Sequence, residues 1–322
     1  MLIRSITLVL YNFAIFCYQL AIYLAFPINN KSRQWVRGRK NLFHKLQQEI
    51  TEDGFKVWMH VSSLGEFEQG RPIIEALKSE SPRSKIILTF FSPSGFELRK
   101  NYEFAEIVSY LPLDTPNNAN KFIELVNPNL AIFIKYDFWY HYFKKLKDHN
   151  IPLLLVSSIF RKNQIYFKPY GGFFRKLLQI PDHIFVQNKD SQKLLRSRGI
   201  NNTTVINDSR IDRVIKIQNS LQNENISQAK FFKGNSAILT IGSSYQNEER
   251  LVFQALSNEL ADWKIIIAPH HVNRKRIDEI KRIFKDYNCV LWTQYPTENQ
   301  LTNAQILLVD TIGLLNTLYS LS

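Results

Sequence analysis

Apolar and polar positions divide this chain into three regimes. The first is the run from Ser5 to Asn30, 26 residues without a charge, dominated by Leu, Ile, Phe, Tyr, Val and Ala. About 20 apolar residues suffice to cross a hydrocarbon core. Residues 1–30 are therefore expected to form a membrane-anchor helix, the alternative being a hydrophobic helix buried in the first domain. The second regime follows a basic connector at 31–50. Strand-like apolar runs at Lys56–Val61, Lys85–Phe91, Ile107–Leu111, Leu130–Ile134, Pro152–Ser157 and His183–Gln187 alternate with amphipathic stretches. Those stretches predict helices near Phe67–Glu80, Pro93–Tyr102, Pro116–Val126, Phe138–His149, Phe173–Gln179 and Lys189–Arg198. Continuous apolar strands separated by helices predict a parallel sheet covered on both faces. A polar interval at 216–235 predicts a linker. The third regime repeats the alternation: strands Ala237–Ile241, Lys264–Ala268, Cys289–Trp292 and Gln305–Val309, with helices Asn247–Ala261 and Asn273–Tyr287. The fold class is therefore α/β with two doubly wound, Rossmann-like domains, 51–215 and 236–322. The chain stops inside what reads as a further helix, so the second domain is expected to be incomplete.

Charge sharpens the reading of the N-terminus. Of the net +13, seven charges fall in residues 1–48, which hold Arg4, Lys31, Arg33, Arg37, Arg39, Lys40 and Lys45 and no acid. Tyr11, Tyr18 and Tyr23 suit a membrane interface, and the basic cluster after the apolar run places the remaining chain on the cytoplasmic side. Ala25-Phe26-Pro27 is a poor signal-peptide cleavage site, so the anchor is read as retained. Cys17 and Cys289 are too few and too far apart for a disulfide framework, which fits a reducing compartment. The seven histidines form no zinc-type spacing, and no metal is expected. Without a Walker loop or a G-x-G-x-x-G run, P-loop NTPases and dinucleotide dehydrogenases are excluded.

Candidate chemistry gathers after the strands. Ser63-Leu64-Gly65-Glu66 fits an S-x-x-E capping box. It equally places a carboxylate at the carboxyl end of the first strand, where ligands collect in open α/β sheets and where a base could deprotonate a hydroxyl. Ser92-Pro93-Ser94-Gly95 reads as helix initiation that also offers amides to a phosphate. Lys135-Tyr136-Asp137-Phe138-Trp139 puts a cation at a strand end, with Asp137 as a candidate N-cap and Trp139 as core. Arg210, near the domain junction, faces a ligand or pairs with an acid. Gly242-Ser243-Ser244 and Pro269-His270-His271 end strands of the second domain. Between Arg161 and Arg198, nine Lys or Arg are interleaved with aromatics against two acids. That composition suits nucleic acid or anionic lipid; beside an anchor the lipid reading is preferred and no nucleic-acid partner is expected.

These residues, in this order, resemble the 3-deoxy-D-manno-octulosonic acid (Kdo) transferases of lipopolysaccharide assembly, from the Trp35-Val36-Arg37-Gly38-Arg39-Lys40 run to Gly313. The block from His60 to Glu66 is the most specific element. The resemblance implies a GT-B fold and an inverting, metal-independent transfer of Kdo from CMP-Kdo to a lipid A precursor (lipid IVA) at the cell inner membrane. No cofactor is implied beyond the donor substrate CMP-Kdo. It implies Glu66 as base, and Lys135 and Arg210 as charge-stabilising residues. Ser243, Ser244, Pro269, His270, Ile312, Gly313 and Leu314 are the implied CMP contacts; Ser92, Ser94, Gly95, Asp137 and Arg161 are candidates for the acceptor. The chain departs from the family pattern at Lys135, Asp137, His270 and Leu314, and a later nucleotide-binding segment would lie beyond Ser322. Two other readings stand beside this one: a GT-B transferase using a UDP-sugar, and a truncated chain that binds membrane and acceptor without transferring.

Overall fold

The computed structural model describes residues 2–50, 54–208, 227–256, 260–312 and 314–319. The chain divides into two compact units, Met1–Asp212 and Arg213–Ser322.

The first unit is built on β1 (Lys56–Val61), β2 (Lys85–Phe90), β3 (Ile107–Tyr110), β4 (Leu130–Ile134), β5 (Leu153–Ser158), β6 (His183–Val186) and β7 (Thr203–Val205). All neighbouring pairs are parallel, in the order β3-β2-β1-β4-β5-β6-β7. The order reverses between β1 and β4. Gaps open at such a switch point because the flanking connections leave toward opposite sides. Side chains alternate across the sheet: Val57, Met59 and Val61 enter one apolar layer, while Trp58 enters the other beside Phe122, Phe133 and Tyr142. The short β7 was not expected from its sequence; its three residues are too few to display a period.

Helices cover both faces: α1 (Leu2–Ala25), α2 (Asn30–Gly38), α3 (Leu42–Glu49), α4 (Leu64–Glu80), α5 (Pro93–Arg99), α6 (Pro116–Val126), α7 (Tyr140–Asp148), α8 (Gly172–Leu177) and α9 (Lys189–Arg196). Residues 31–50, expected as a connector, are instead mostly helical and packed on the sheet. Trp35, Leu42 and Leu46 are buried, because the charges of this stretch lie on one side of short amphipathic helices. The α4 helix starts at Leu64 rather than Phe67. The α7 helix is capped at Trp139, not at Asp137.

The second unit has a four-stranded parallel sheet of β8 (Ile238–Ser244), β9 (Lys264–Pro269), β10 (Cys289–Leu291) and β11 (Ile306–Leu308), in the order β10-β11-β9-β8. Around it lie α10 (Ser227–Lys233), α11 (Gln246–Leu256), α12 (Arg274–Ile283), α13 (Glu298–Asn303) and α14 (Leu315–Tyr319). Of the expected linker at 216–235, residues 216–226 lie outside the described residues, and 227–233 are the α10 helix. Arg210 and Gly313 also lie outside the described residues.

Candidate active site

The fully buried β1 strand ends at Val61, and Ser62 and Ser63 lead into α4 with Ser63 at the N-cap in an extended conformation. Glu66 therefore stands in the first helical turn, above the carboxyl end of the first strand. The Ser63 side chain makes no capping bond to the backbone. Its hydroxyl instead donates to Glu66 Oε2, so the capping box expected from spacing is not formed. The other carboxylate oxygen, Oε1, accepts from Lys135 Nζ at 3.2 Å.

Lys135 follows β4, the strand across the switch point from β1. Its φ of +64° is the left-handed conformation, which costs a side-chain-bearing residue roughly 1–2 kcal/mol. Two bonds from β5 hold it there: its N–H donates to the Val156 carbonyl at 2.9 Å, and its carbonyl accepts from Ser158 Oγ at 2.8 Å. That turn sends the ammonium back over the sheet edge to Glu66, 69 residues away in sequence.

The β1 and β2 ends stay paired past their strands, with the Ser92 N–H donating to the Ser62 carbonyl at 2.8 Å. This sets the start of α5 against the start of α4. A Cβ on Gly95 would lie 2.6 Å from the Phe90 ring and 3.0 Å from the Leu64 nitrogen, so only glycine permits the approach. Ser92 stands at the N-cap with Pro93 after it, as expected, but its hydroxyl shares a bond of 2.9 Å with Ser94 and makes no capping bond to the helix. Ser92, Ser94 and Gly95 thus gather beside Ser63 and Glu66. Arg161 does not join them. It is exposed on the loop after β5, where its backbone N–H donates to Gln164.

Asp137 serves neither as a cap nor as a free surface acid. Its buried Oδ2 lies 3.1 Å from Nε2 of His60, a fully buried β1 residue, and accepts no hydrogen bond among the described residues. The Trp139 indole N–H approaches the same nitrogen at 3.3 Å, and His60 Nδ1 lies 2.9 Å from Thr89 Oγ1, which also accepts from Trp58 Nε1 at 2.8 Å. With the proton on Nε2, His60 makes a close charge contact with Asp137 rather than a hydrogen bond. With it on Nδ1, the ring accepts from Trp139. This polar string ties the loop bearing Lys135 to β1 and β2.

In the second unit, Ser243 sits in the left-handed conformation (φ +55°), and the buried Ser244 hydroxyl donates to Glu249 Oε1 at 2.7 Å. Glu249 is fully buried and paired with Arg276, whose other guanidinium nitrogen reaches Glu279 at 3.1 Å. Pro269 ends β9, the His270 N–H donates to the Ser244 carbonyl, and the His270 ring stacks on Tyr245 at 4.8 Å. Ser243, Ser244, Pro269 and His270 are therefore brought together at one sheet edge. Ile312 is 84% exposed, and Leu314 packs on the core beneath.

Comparison with known sequences decides the family. Residues 33–213, more than half of the chain, match the family described as 3-Deoxy-D-manno-octulosonic-acid transferase (kdotransferase). The chain belongs to the Kdo transferase family. Among similar proteins, the bifunctional glycosyltransferase/methyltransferase of Fusobacterium nucleatum is 23% identical over 86% of this chain and 44% of its own. The 3-deoxy-D-manno-octulosonic acid transferase of Aquifex aeolicus is 26% identical over 82% of this chain and 66% of its own. The chain thus spans between 44% and 66% of the length of these two relatives. In fold it is similar to the UDP-GlcNAc 2-epimerase from Neisseria meningitidis bound to UDP-GlcNAc, with a TM-score of 0.57 and 15% identity over 83% of this chain and 75% of that one. That likeness bears out the GT-B-type α/β class expected from the sequence.

Two features of this Kdo transferase family chain lie beyond what its sequence revealed. His60 is marked in sequence as one polar residue in an apolar strand, and Thr89 repeats the signal in β2, but nothing in either strand says the two meet. The Ser244–Glu249–Arg276 cluster is likewise signalled only by an acid at a helical position that turns out to be buried.

Proposed function

We propose that this protein is an inverting glycosyltransferase that moves Kdo from CMP-Kdo to a lipid A precursor, lipid IVA, at the cytoplasmic face of the cell inner membrane. Family membership supports Kdo transfer in lipid A assembly. The observation that carries the finer reading is Glu66 at the switch point of the first sheet, held by Ser63 on one oxygen and Lys135 on the other. Each carboxylate oxygen keeps a lone pair beyond the one these donors occupy. The acceptor hydroxyl gives its proton to Glu66 as its oxygen bonds to the anomeric carbon of Kdo. The bond from that carbon to the phosphate oxygen breaks, and its electron pair leaves with CMP. Lys135 stands beside the developing charge, where a fixed cation is worth most. Arg210 shares that role by resemblance.

Ser92, Ser94 and Gly95 beside Glu66 are proposed to meet the acceptor, with Arg161 as an outlying contact. Asp137 works through His60 rather than on substrate. Ser243, Ser244, Pro269, His270, Ile312, Gly313 and Leu314 are proposed to meet CMP-Kdo. No cofactor is needed in this reading, since the leaving group is already a stabilised monophosphate. In a membrane assay with CMP-Kdo and lipid IVA, Glu66→Ala should lower turnover by at least about 10²-fold and leave lipid IVA binding nearly intact. Turnover at the unaltered rate would remove Glu66 from the base role. Consumption of a UDP-sugar in place of CMP-Kdo would change the donor, and no turnover with either would make the chain a binding protein.

A further inference from the structure

The α1 helix is long and apolar enough to cross a membrane over Ile6–Ala25, yet it does not project from the first unit. It lies along it. Partly covered positions recur at Leu8, Tyr11, Ile15, Gln19, Ile22 and Phe26, the spacing of one helical face. On that face the Tyr11 hydroxyl donates to Asp114 Oδ2 at 2.6 Å and accepts from the Tyr140 N–H at 3.3 Å. Asn12 Oδ1 meets His141 Nε2 at 2.7 Å. Further along, the Tyr18 ring packs on Phe91 and Trp35 at 5.8 and 6.3 Å. The opposite face carries Val9, Phe13, Phe16, Leu20 and Leu24, all between 47% and 70% exposed.

We propose that α1 lies in the plane of one leaflet of an anionic phospholipid membrane, its outward face in the lipid and its inward face on the protein, rather than crossing the bilayer. The position of the polar contacts carries the inference. A crossing about 30 Å long uses about 20 helical residues, which is the whole apolar run of α1. Tyr11, Asn12 and Tyr18 fall inside that run. A crossing would draw the Asp114 carboxylate, His141 and the start of α7 into hydrocarbon, where ionisable groups are costly. An in-plane helix needs neither that burial nor the loss of these bonds.

Charge selects the lipid. Exposed Lys31, Arg37 and Lys40 follow directly on α1. Lys144, Lys147 and Lys176 line a cavity of about 400 Å³ whose walls include Tyr140 and Phe173, the two rings packed on Tyr11 at 5.9 Å. Lys144 pairs with Asp148, while Lys147 and Lys176 have no ion pair among the described residues. Cations beside an apolar face that sinks about 5–10 Å into the interface match anionic headgroups.

Nitroxide labels placed one at a time at Val9, Phe13, Cys17, Leu20 and Leu24, in the full chain with Cys289→Ser and, for the four positions other than 17, Cys17→Ser, test this on vesicles of phosphatidylcholine with phosphatidylglycerol. These side chains are exposed, so labelling leaves the fold intact. Oxygen and nickel-chelate accessibilities should give one shallow depth for all five. Depth that peaks near Cys17, with Val9 and Leu24 emerging on opposite sides, would overturn the proposal in favour of a crossing. Concentration-dependent spin–spin broadening without vesicle binding would overturn it in favour of a second copy. Replacing Lys147 and Lys176 by Ala should weaken binding to these vesicles roughly thirtyfold and leave binding to pure phosphatidylcholine unchanged. Equal loss on both would remove the anionic-lipid assignment.

Discussion

At the scale of single residues, the contact between Glu66 and Lys135 is made at a conformational cost. Lys135 occupies a left-handed position that glycine would hold without strain, and it holds it while reaching a carboxylate only 18% exposed. Strained positions concentrate at functional sites, which supports the role proposed for Lys135. Lys135→Gly should therefore leave the melting temperature unchanged or slightly higher, since relief of roughly 1 kcal/mol offsets the lost ion pair. Kdo transfer should fall by about 10²-fold or more. Thermal unfolding and CMP release, measured on the same preparation, check both halves; a less stable variant with full activity would refute the argument. The neighbouring serine shows why part of this site was unreadable. Ser63-x-x-Glu66 and Thr297-x-x-Gln300 have the same spacing, and only the second forms the reciprocal capping box. In the first, the Ser63 hydroxyl and Lys135 each take one oxygen of the Glu66 carboxylate, and no local pattern announces a partner 69 residues distant. What could be read was the place: a polar break after a fully apolar strand in a parallel sheet.

At the scale of elements, the basic run after α1 is the clearest case of charge misdirecting the sequence reading. Arg39 looks like one more surface cation. Its guanidinium instead donates to the carbonyls of Phe91 and Leu111 at 2.9 Å each and lies 3.9 Å from the Trp35 ring centre. Burial pushes its pKa down to about 9. The α2 helix is thereby clamped to the carboxyl ends of β2 and β3, beside the candidate site. Gly38 makes the clamp fit, because a Cβ there would lie 2.1 Å from the Tyr110 ring. That ring is itself held against Phe96 at 4.1 Å and cannot retreat freely. Gly38→Ala should destabilise the first unit by about 1–3 kcal/mol, seen as a lowered denaturation midpoint followed by tryptophan fluorescence. An unchanged midpoint would mean α2 is not integral to the fold. The strands β1 to β6, by contrast, were legible nearly to the residue, because strands buried on both faces have no choice but to be continuously apolar.

At the scale of the whole molecule, the N-terminal helix and the first sheet behave as one body, and the joint between them is ionisable. Two buried groups meet there with opposite consequences for stability. Burial pushes the Asp114 carboxyl up to about 6, against an ordinary 3.8. Between those values the folded protein holds a proton that the unfolded chain has released, so this contribution is full below pH 3.8 and is lost as pH rises through about 6. Burial pushes His141 down to about 4, against an ordinary 6.5. In that window the unfolded chain binds a proton that the folded protein rejects, so this contribution is full above pH 6.5 and is lost as pH falls toward 4. The two slopes, each at most about 1.4 kcal/mol per pH unit, oppose one another from about pH 4 to 6. Docking of α1 is thereby buffered against acid, although each group alone would make it pH-sensitive. Removing either partner should expose the other. Relative to the unaltered protein, His141→Asn should lose stability steadily as pH rises from about 4 to 6.5, and Asp114→Asn should gain over about 4 to 6. Denaturant midpoints across that range give the two differences directly. The slopes, not the absolute midpoints, are the readout, since either substitution also disturbs packing under the helix. Parallel, flat differences for both variants would mean that neither group titrates where its burial places it.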